Sequence, residues 1–245
     1  MTRDHHQMSP LRRRANRIVA SLAVVGGLAV AGTAVGQPAG AAPATQSTVI
    51  ATAADRAVTA LERWQQTQNP ADYVWFVQHR DQVASMTERD IALSTGTLRD
   101  GWAQVAIAKQ HAVLNAVSQL GVPYRSHTSK PGVGFDCSGL TIWAFGEAGI
   151  SLPRISRDQI NDAERVEPED AEAGDLVYYP GHVSIYLGGG TMVHSPNSGN
   201  HVEVRTIPTR SLRYGDAAPA IGGVDGTVVA DESGSLMDRA LAVTK

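Results

Sequence analysis

Cys137 is the only cysteine in 245 residues. It stands in Asp136-Cys137-Ser138-Gly139-Leu140, where a helix is expected to begin. The start of a helix carries partial positive charge and unpaired N–H groups, and both favour thiolate over thiol. Polar neighbours on either side, and a glycine that admits close backbone approach, favour an accessible sulfur over a buried one. With a single cysteine no intramolecular disulfide can form, so the thiol stays available for reaction. These residues read as the nucleophile of a cysteine hydrolase.

A thiol nucleophile needs a base, and the base needs an orienting partner. His182 opens the segment His182-Val183-Ser184-Ile185-Tyr186-Leu187, and His194 closes Thr191-Met192-Val193-His194. Both segments read as strands. Adjacent antiparallel strands would bring the two rings to one face, because side chains alternate with period two. His182 could then face Cys137 while His194 fixes its tautomer, the role a carboxylate or amide plays in other triads. Two other readings stay open: solvent-facing histidines, or a zinc site made of Cys137, His182 and His194. One cysteine and no short ligand-pair spacing speak against zinc. His79, His111, His127 and His201 have no comparable setting and are expected at the surface.

The elements that must position these groups follow from spacing. Residues 49–120 are helical in pattern. Ala57, Leu61 and Trp64 fall on one face of a first helix, and Asn69-Pro70 supplies an N-cap and a first-turn proline for a second. Tyr73, Phe76, Val77 and Val83 form the apolar side of that second helix. Thr87 with Asp90 resembles a capping box for a short third. A longer helix carries Trp102, Ala106, Val113, Val117 and Leu120 inward and ends at Gly121. Residues 121–135 read as a loop, Cys137 to about Ala148 as a helix, and 151–173 as irregular with one turn near 157–161. Strands are expected at Leu176–Tyr179, His182–Leu187, Thr191–His194 and Val202–Ile207. Beyond Tyr214 there is little pattern. A helical part followed by an antiparallel meander is the order of an α+β domain.

Arg12-Arg13-Arg14 and Arg17 precede an apolar run from Ile18 to Val35, and Ala39-Gly40-Ala41 follows. This is the order of a secretory signal peptide cut near residue 41, with a membrane anchor as the competing reading. Twin-arginine export has weak support, since Ala15-Asn16 follow the arginines. The leader holds five of the 21 Lys and Arg and one of the 24 acids, leaving 16 basic against 23 acidic side chains and a net charge of −7. That balance excludes the basic face that nucleic-acid binding needs.

At the nucleophile and histidine segments the chain closely resembles the NlpC/P60 family of cell-wall cysteine peptidases, over about residues 105–215. The resemblance rests on Gln119-Leu120-Gly121-Val122-Pro123-Tyr124, Gly134-Phe135-Asp136-Cys137-Ser138-Gly139-Leu140, and Leu152-Pro153-Arg154-Ile155-Ser156 with Gln159. Gly174-Asp175-Leu176-Val177, the His182 segment and Val193-His194 follow in the family's order. It implies a papain-like α+β core in which the helix carrying the nucleophile packs on an antiparallel sheet, preceded here by a helical segment. It further implies Cys137 as nucleophile, His182 as base, His194 as orienting residue, and no metal or other cofactor. Tyr124 would help hold the oxyanion or the substrate backbone. Asp136, Ser138, Arg154 and Ser156 would line the side that recognises D-glutamate and nearby amines. The implied substrate is the peptidoglycan stem peptide, typically cut between D-glutamate and meso-diaminopimelate or lysine, with diaminopimelate expected here. Three departures bear on cleft shape: Arg125-Ser126-His127-Thr128 replaces a usual Gly-Gly pair, Ser184 stands where glycine is common, and Gly181 replaces a small polar residue.

The expected organisation is a signal peptide (1–41), a helical region (42–104), a catalytic domain (105–225) and a tail (226–245), exported to the cell envelope as a monomer. The helical region would pack, tether the chain to a cell-wall or divisome protein, or partly cover the cleft. The competing functions are a wall-binding module that does not cut, and an acyltransferase or amidase using the same thiol.

Overall fold

The computed structural model describes residues 45–208 and 211–218. The leader at 1–41 and the tail at 226–245 lie outside the described residues.

Two long helices come first, α1 (Gln46–Thr67) and α2 (Pro70–Asp90). Thr45 caps α1 by accepting from the Thr48 N–H. Asn69 caps α2 through the Ala71 N–H at 2.9 Å, with Pro70 in the first turn as its spacing foretells. Thr87 and Asp90 cap nothing, because α2 runs through both. The Thr87 hydroxyl instead donates back to the Val83 carbonyl within the helix. The next helix, α3 (Thr97–Gln104), is capped from a distance. The buried Glu88 carboxylate accepts from the N–H groups of Gly96, Leu98 and Arg99 at 2.7–3.3 Å.

The single long helix expected through Trp102 and Leu120 is two. Val105 turns extended (ψ 160°) between α3 and α4 (Ile107–Ser118), and the Gln110 side chain holds the Val105 carbonyl at 2.8 Å. Hydrophobic periodicity ran across this break because α4 is buried on nearly every side. Gly121 follows at φ 88°, where a side chain would be strained.

After α4 come a short hairpin, β1 (Ser129–Lys130) with β2 (Gly134–Phe135), then α5 (Cys137–Glu147) and α6 (Ser156–Asp162). The remaining strands are β3 (Glu164–Val166), β4 (Leu176–Tyr179), β5 (His182–Gly188), β6 (Thr191–His194), β7 (Glu203–Thr206) and β8 (Arg213–Asp216). They form one antiparallel sheet in the order β3-β8-β4-β5-β6-β7. The hairpin and β3 escaped the sequence reading because two- and three-residue strands carry too few alternations to register, and β8, Arg-Tyr-Gly-Asp, lacks the β-branched and apolar residues that mark β4 and β6. β8 sits inside the sheet, between β3 and β4, so Arg213–Asp216 belongs to the fold.

The sheet, α4 and α5 share one hydrophobic core with α1–α3. Trp102 on α3 is buried and donates its ring N–H to the Leu187 carbonyl at 2.8 Å. A Cβ on Gly189 would meet Leu93 and Thr97 at 2.9 Å. The helical region therefore rests on α4 and, through α3, on the Leu187–Gly189 end of β5. His182 begins that strand about 20 Å away at 3.3 Å per residue. Lys109 at the head of α4 pins the fold's other side, reaching Asp175 at 2.8 Å and Asp216 at 2.9 Å.

Candidate active site

Asp136 caps α5, accepting from the Gly139 N–H at 2.7 Å, and so fixes Cys137 as the first helical residue. Its other oxygen takes the His127 N–H at 2.7 Å and pairs with the Arg154 guanidinium. Arg154 also donates to the Ser138 hydroxyl at 2.7 Å, so one arginine clasps both neighbours of the cysteine. Behind them Gln159 is fully buried, with its amide N–H groups on the carbonyls of Ser138 (3.2 Å) and Pro153 (2.8 Å) and its oxygen on the Thr141 hydroxyl (2.7 Å). Gly139 is required: a Cβ there would lie 2.1 Å from the Thr128 carbonyl oxygen.

The strand side approaches from β5. The N–H groups of Val183, Ser138 and Cys137 itself point at the Cys137 sulfur. His182 precedes Val183 and is buried, with its ring stacked on Tyr179 (4.8 Å between centroids). His182 Nε2 and His194 Nδ1 are 2.9 Å apart, the rings edge to face. Ile185 pairs with Val193, so the register sets His194 beside Ser184 and makes His182 its diagonal neighbour on the same face. The solvent-facing reading of the two histidines is thereby excluded. His194 Nε2 faces the Glu203 carboxylate at 3.3 Å, and these two residues are direct cross-strand partners.

Burial pushes the Cys137 thiol up from its ordinary range, and the Asp136 carboxylate pushes the same way, against the three N–H groups. The helix start does not leave a ready thiolate, contrary to the sequence expectation. The group at rest is a thiol that needs a base. His194 goes the other way: burial and the nearby Arg205 charge lower it to about 4, so it is neutral near pH 7.

The structure brings Cys137, Asp136, Ser138 and Arg154 into one cluster and joins His182 to His194. Tyr124 sits beside them, half-buried, bridged to Phe135 in the strand that leads into Asp136. Ser156 opens α6 and shares no hydrogen bond with the cluster. His111, expected at the surface, is buried on α4, and its Nε2 has no partner among the described residues. Three contributors were missed: Gln159 as a clasp, Tyr179 under His182, and Glu203. Gln159 stood in the quoted motif without a role, whereas Glu203 becomes visible only once the β6–β7 register is known. Among the described residues no group of three or more His, Cys, Asp and Glu side chains is placed to hold a metal ion.

Residues 121–214 match the NlpC/P60 family. The chain is 37% identical over 132 residues to the peptidoglycan endopeptidase RipB of Mycobacterium tuberculosis, covering 47% of this chain and 55% of RipB. It is 42% identical over 92 residues to the bifunctional muramidase/DL-endopeptidase CwlT of Bacillus subtilis, covering 34% of this chain and 28% of CwlT. Among solved structures, the P60 domain of the M. avium subspecies paratuberculosis antigen MAP1204 aligns with a TM-score of 0.41 at 31% identity, covering 46% of this chain and 96% of that domain. The chain thus spans about half the length of RipB and less of CwlT.

Proposed function

We infer that this chain, which belongs to the NlpC/P60 family through residues 121–214, is an exported peptidoglycan endopeptidase acting by cysteine–histidine catalysis. The observation that carries the reading is the meeting of the two halves. The Val183 N–H points toward the Cys137 sulfur, and the adjacent His182 is tied through Nε2 to His194 at 2.9 Å. The remaining nitrogen, Nδ1, is then the one to serve the thiol.

In this reading His182 Nδ1 takes the thiol proton as the sulfur attacks the scissile amide carbonyl. The negative oxygen is held by backbone N–H groups at the start of α5, with Tyr124 beside them. The His182 imidazolium returns the proton to the leaving amine. Water, deprotonated by the same ring, then hydrolyses the thioester. Arg154, clasped to Asp136 and Ser138 yet 45% exposed at its side chain, offers spare N–H groups to a substrate carboxylate. Ser156 would meet substrate further along the same wall. The bond we assign is that between D-glutamate and meso-diaminopimelate of the stem peptide. Residues 105–225 would carry this activity, and the helical region 42–104 would brace or tether the domain within the envelope.

Digestion of diaminopimelate-type peptidoglycan by the full chain, beside Cys137→Ala, tests this. Fragments with a newly free diaminopimelate amine, seen by mass spectrometry with the native chain alone, are expected. Wall that binds the native chain and yields no fragments would favour a non-cutting binding module.

A further inference from the structure

We propose that Glu203 is a positioning residue that sets the order of protons along His194 and His182, and so decides whether His182 can act as a base. The proposal rests on the reading of His182 given above. A neutral imidazole carries one N–H and one bare nitrogen, and its neighbours decide which is which. An ionised carboxylate only accepts. Glu203, at 3.3 Å from His194 Nε2, therefore draws the His194 proton onto Nε2. That leaves His194 Nδ1 bare, and the 2.9 Å contact to His182 must be filled by a proton on His182 Nε2. His182 Nδ1 is then bare in turn, as a base for the Cys137 thiol requires.

The reverse order fails. With a proton on His194 Nδ1, His182 would accept at Nε2 and carry its own proton on Nδ1, facing the thiol with a donor. Nothing in the His182–His194 pair chooses between the two orders, because either ring can donate to the other. The asymmetry enters from outside the pair. Tyr179 supplies a stacked face to His182 and no choice of nitrogen by that contact. Arg205, on the same strand as Glu203, lies 3.8 Å from its carboxylate. The burial of His194 keeps that ring neutral, so the order persists near pH 7. When His182 takes the thiol proton, its Nε2–H still donates to His194. The Glu203 charge then stabilises the imidazolium across the intervening ring.

Ring nitrogen chemical shifts of the full chain, labelled with ¹⁵N-histidine, read the proton order directly and need no substrate. In the native protein both His182 and His194 should carry the proton on Nε2. Glu203→Ala should mix the two tautomers at both rings. It should also slow Cys137 alkylation by iodoacetamide at pH 7 about tenfold, with a similar fall in kcat/KM on muropeptide, as when a carboxylate that orients a working histidine is lost. Glu203→Gln keeps an accepting oxygen and should retain most of the order. Ring shifts of both histidines unmoved in Glu203→Ala would overturn the proposal whatever happened to activity, and so would a glutamine variant as disordered as the alanine. If the native chain released no wall fragments, the peptidase reading would fail while the shifts and alkylation rates still decided the role of Glu203.

Discussion

The two halves of the site are built on opposite plans. The helix half, from Asp136 to Gln159, is held by a mesh: the cap on Gly139, the Arg154 clasp and the Gln159 bonds to Ser138 and Thr141 hold the start of α5, and a third Gln159 bond ties it to Pro153. Most of these groups lie within 24 residues of sequence. The strand half is single file, Glu203 to His194 to His182, with one contact between each pair. A mesh tolerates the loss of one thread and keeps its geometry. A file stops wherever it is cut, because each member fixes the proton of the next. The expectation is that changes in the helix half show first in stability and changes in the strand half show first in rate.

The largest effect tests the file at the residue nearest the thiol. His182→Ala should lower kcat/KM by about 10³-fold, the scale of a lost general base. Its thermal midpoint should move much less than that loss would suggest, since the ring is one buried polar group among many. A variant with wild-type activity would remove His182 from the chemistry and return the assignment of the base to an open question.

A middle-sized effect tests the mesh. Asp136→Ala removes the cap and strands the Arg154 guanidinium, which should cost about 1–2 kcal/mol in urea unfolding. The same change should make the thiol easier to ionise, because the Asp136 charge holds the Cys137 titration up. The midpoint of iodoacetamide labelling against pH should therefore move down as stability falls. Labelling that moved up instead would show that the carboxylate orders the N–H groups around the sulfur more than it repels the thiolate.

This contrast also explains how much was legible in the sequence. The helix half could be read because its logic is local: Asp136 as cap, Cys137 at the first turn and Gly139 at the close approach all fall within a few residues. His182 and His194 could be read because period two puts strand ends on one face. Glu203 could not, since its pairing with His194 depends on the β6–β7 register across a loop that carries no register signal of its own. The break at Val105 and the burial of His111 were hidden for a related reason. A helix enclosed by α1, α5 and the sheet loses the amphipathic stripe that marks an outer face.

His111 and His194 offer the finest test, since each is a buried histidine whose proton affinity burial lowers, one on α4 and one in the strand half. His194 has partners on both nitrogens, whereas His111 Nε2 has none among the described residues. Burial lowers the affinity of both for protons, His194 to about 4. In the unfolded chain each returns to 6.5. Below that pH the unfolded state binds protons that the folded state refuses, so stability is full above 6.5 and falls as the pH drops through it. For His194 alone, a folded value near 4 implies a loss of about 2 kcal/mol between pH 8 and pH 5. His111 adds to it in the same direction. His111→Leu removes both an orphaned nitrogen and a titrating group. It should gain up to about 1 kcal/mol at pH 8 and lose less on acidification than the native chain, because one of the two histidines whose proton affinity burial lowers is gone. Urea midpoints at pH 8 and pH 5 measure this. An unchanged acid sensitivity in the leucine variant would place the whole effect on the strand half, where the buried ring already has its partners.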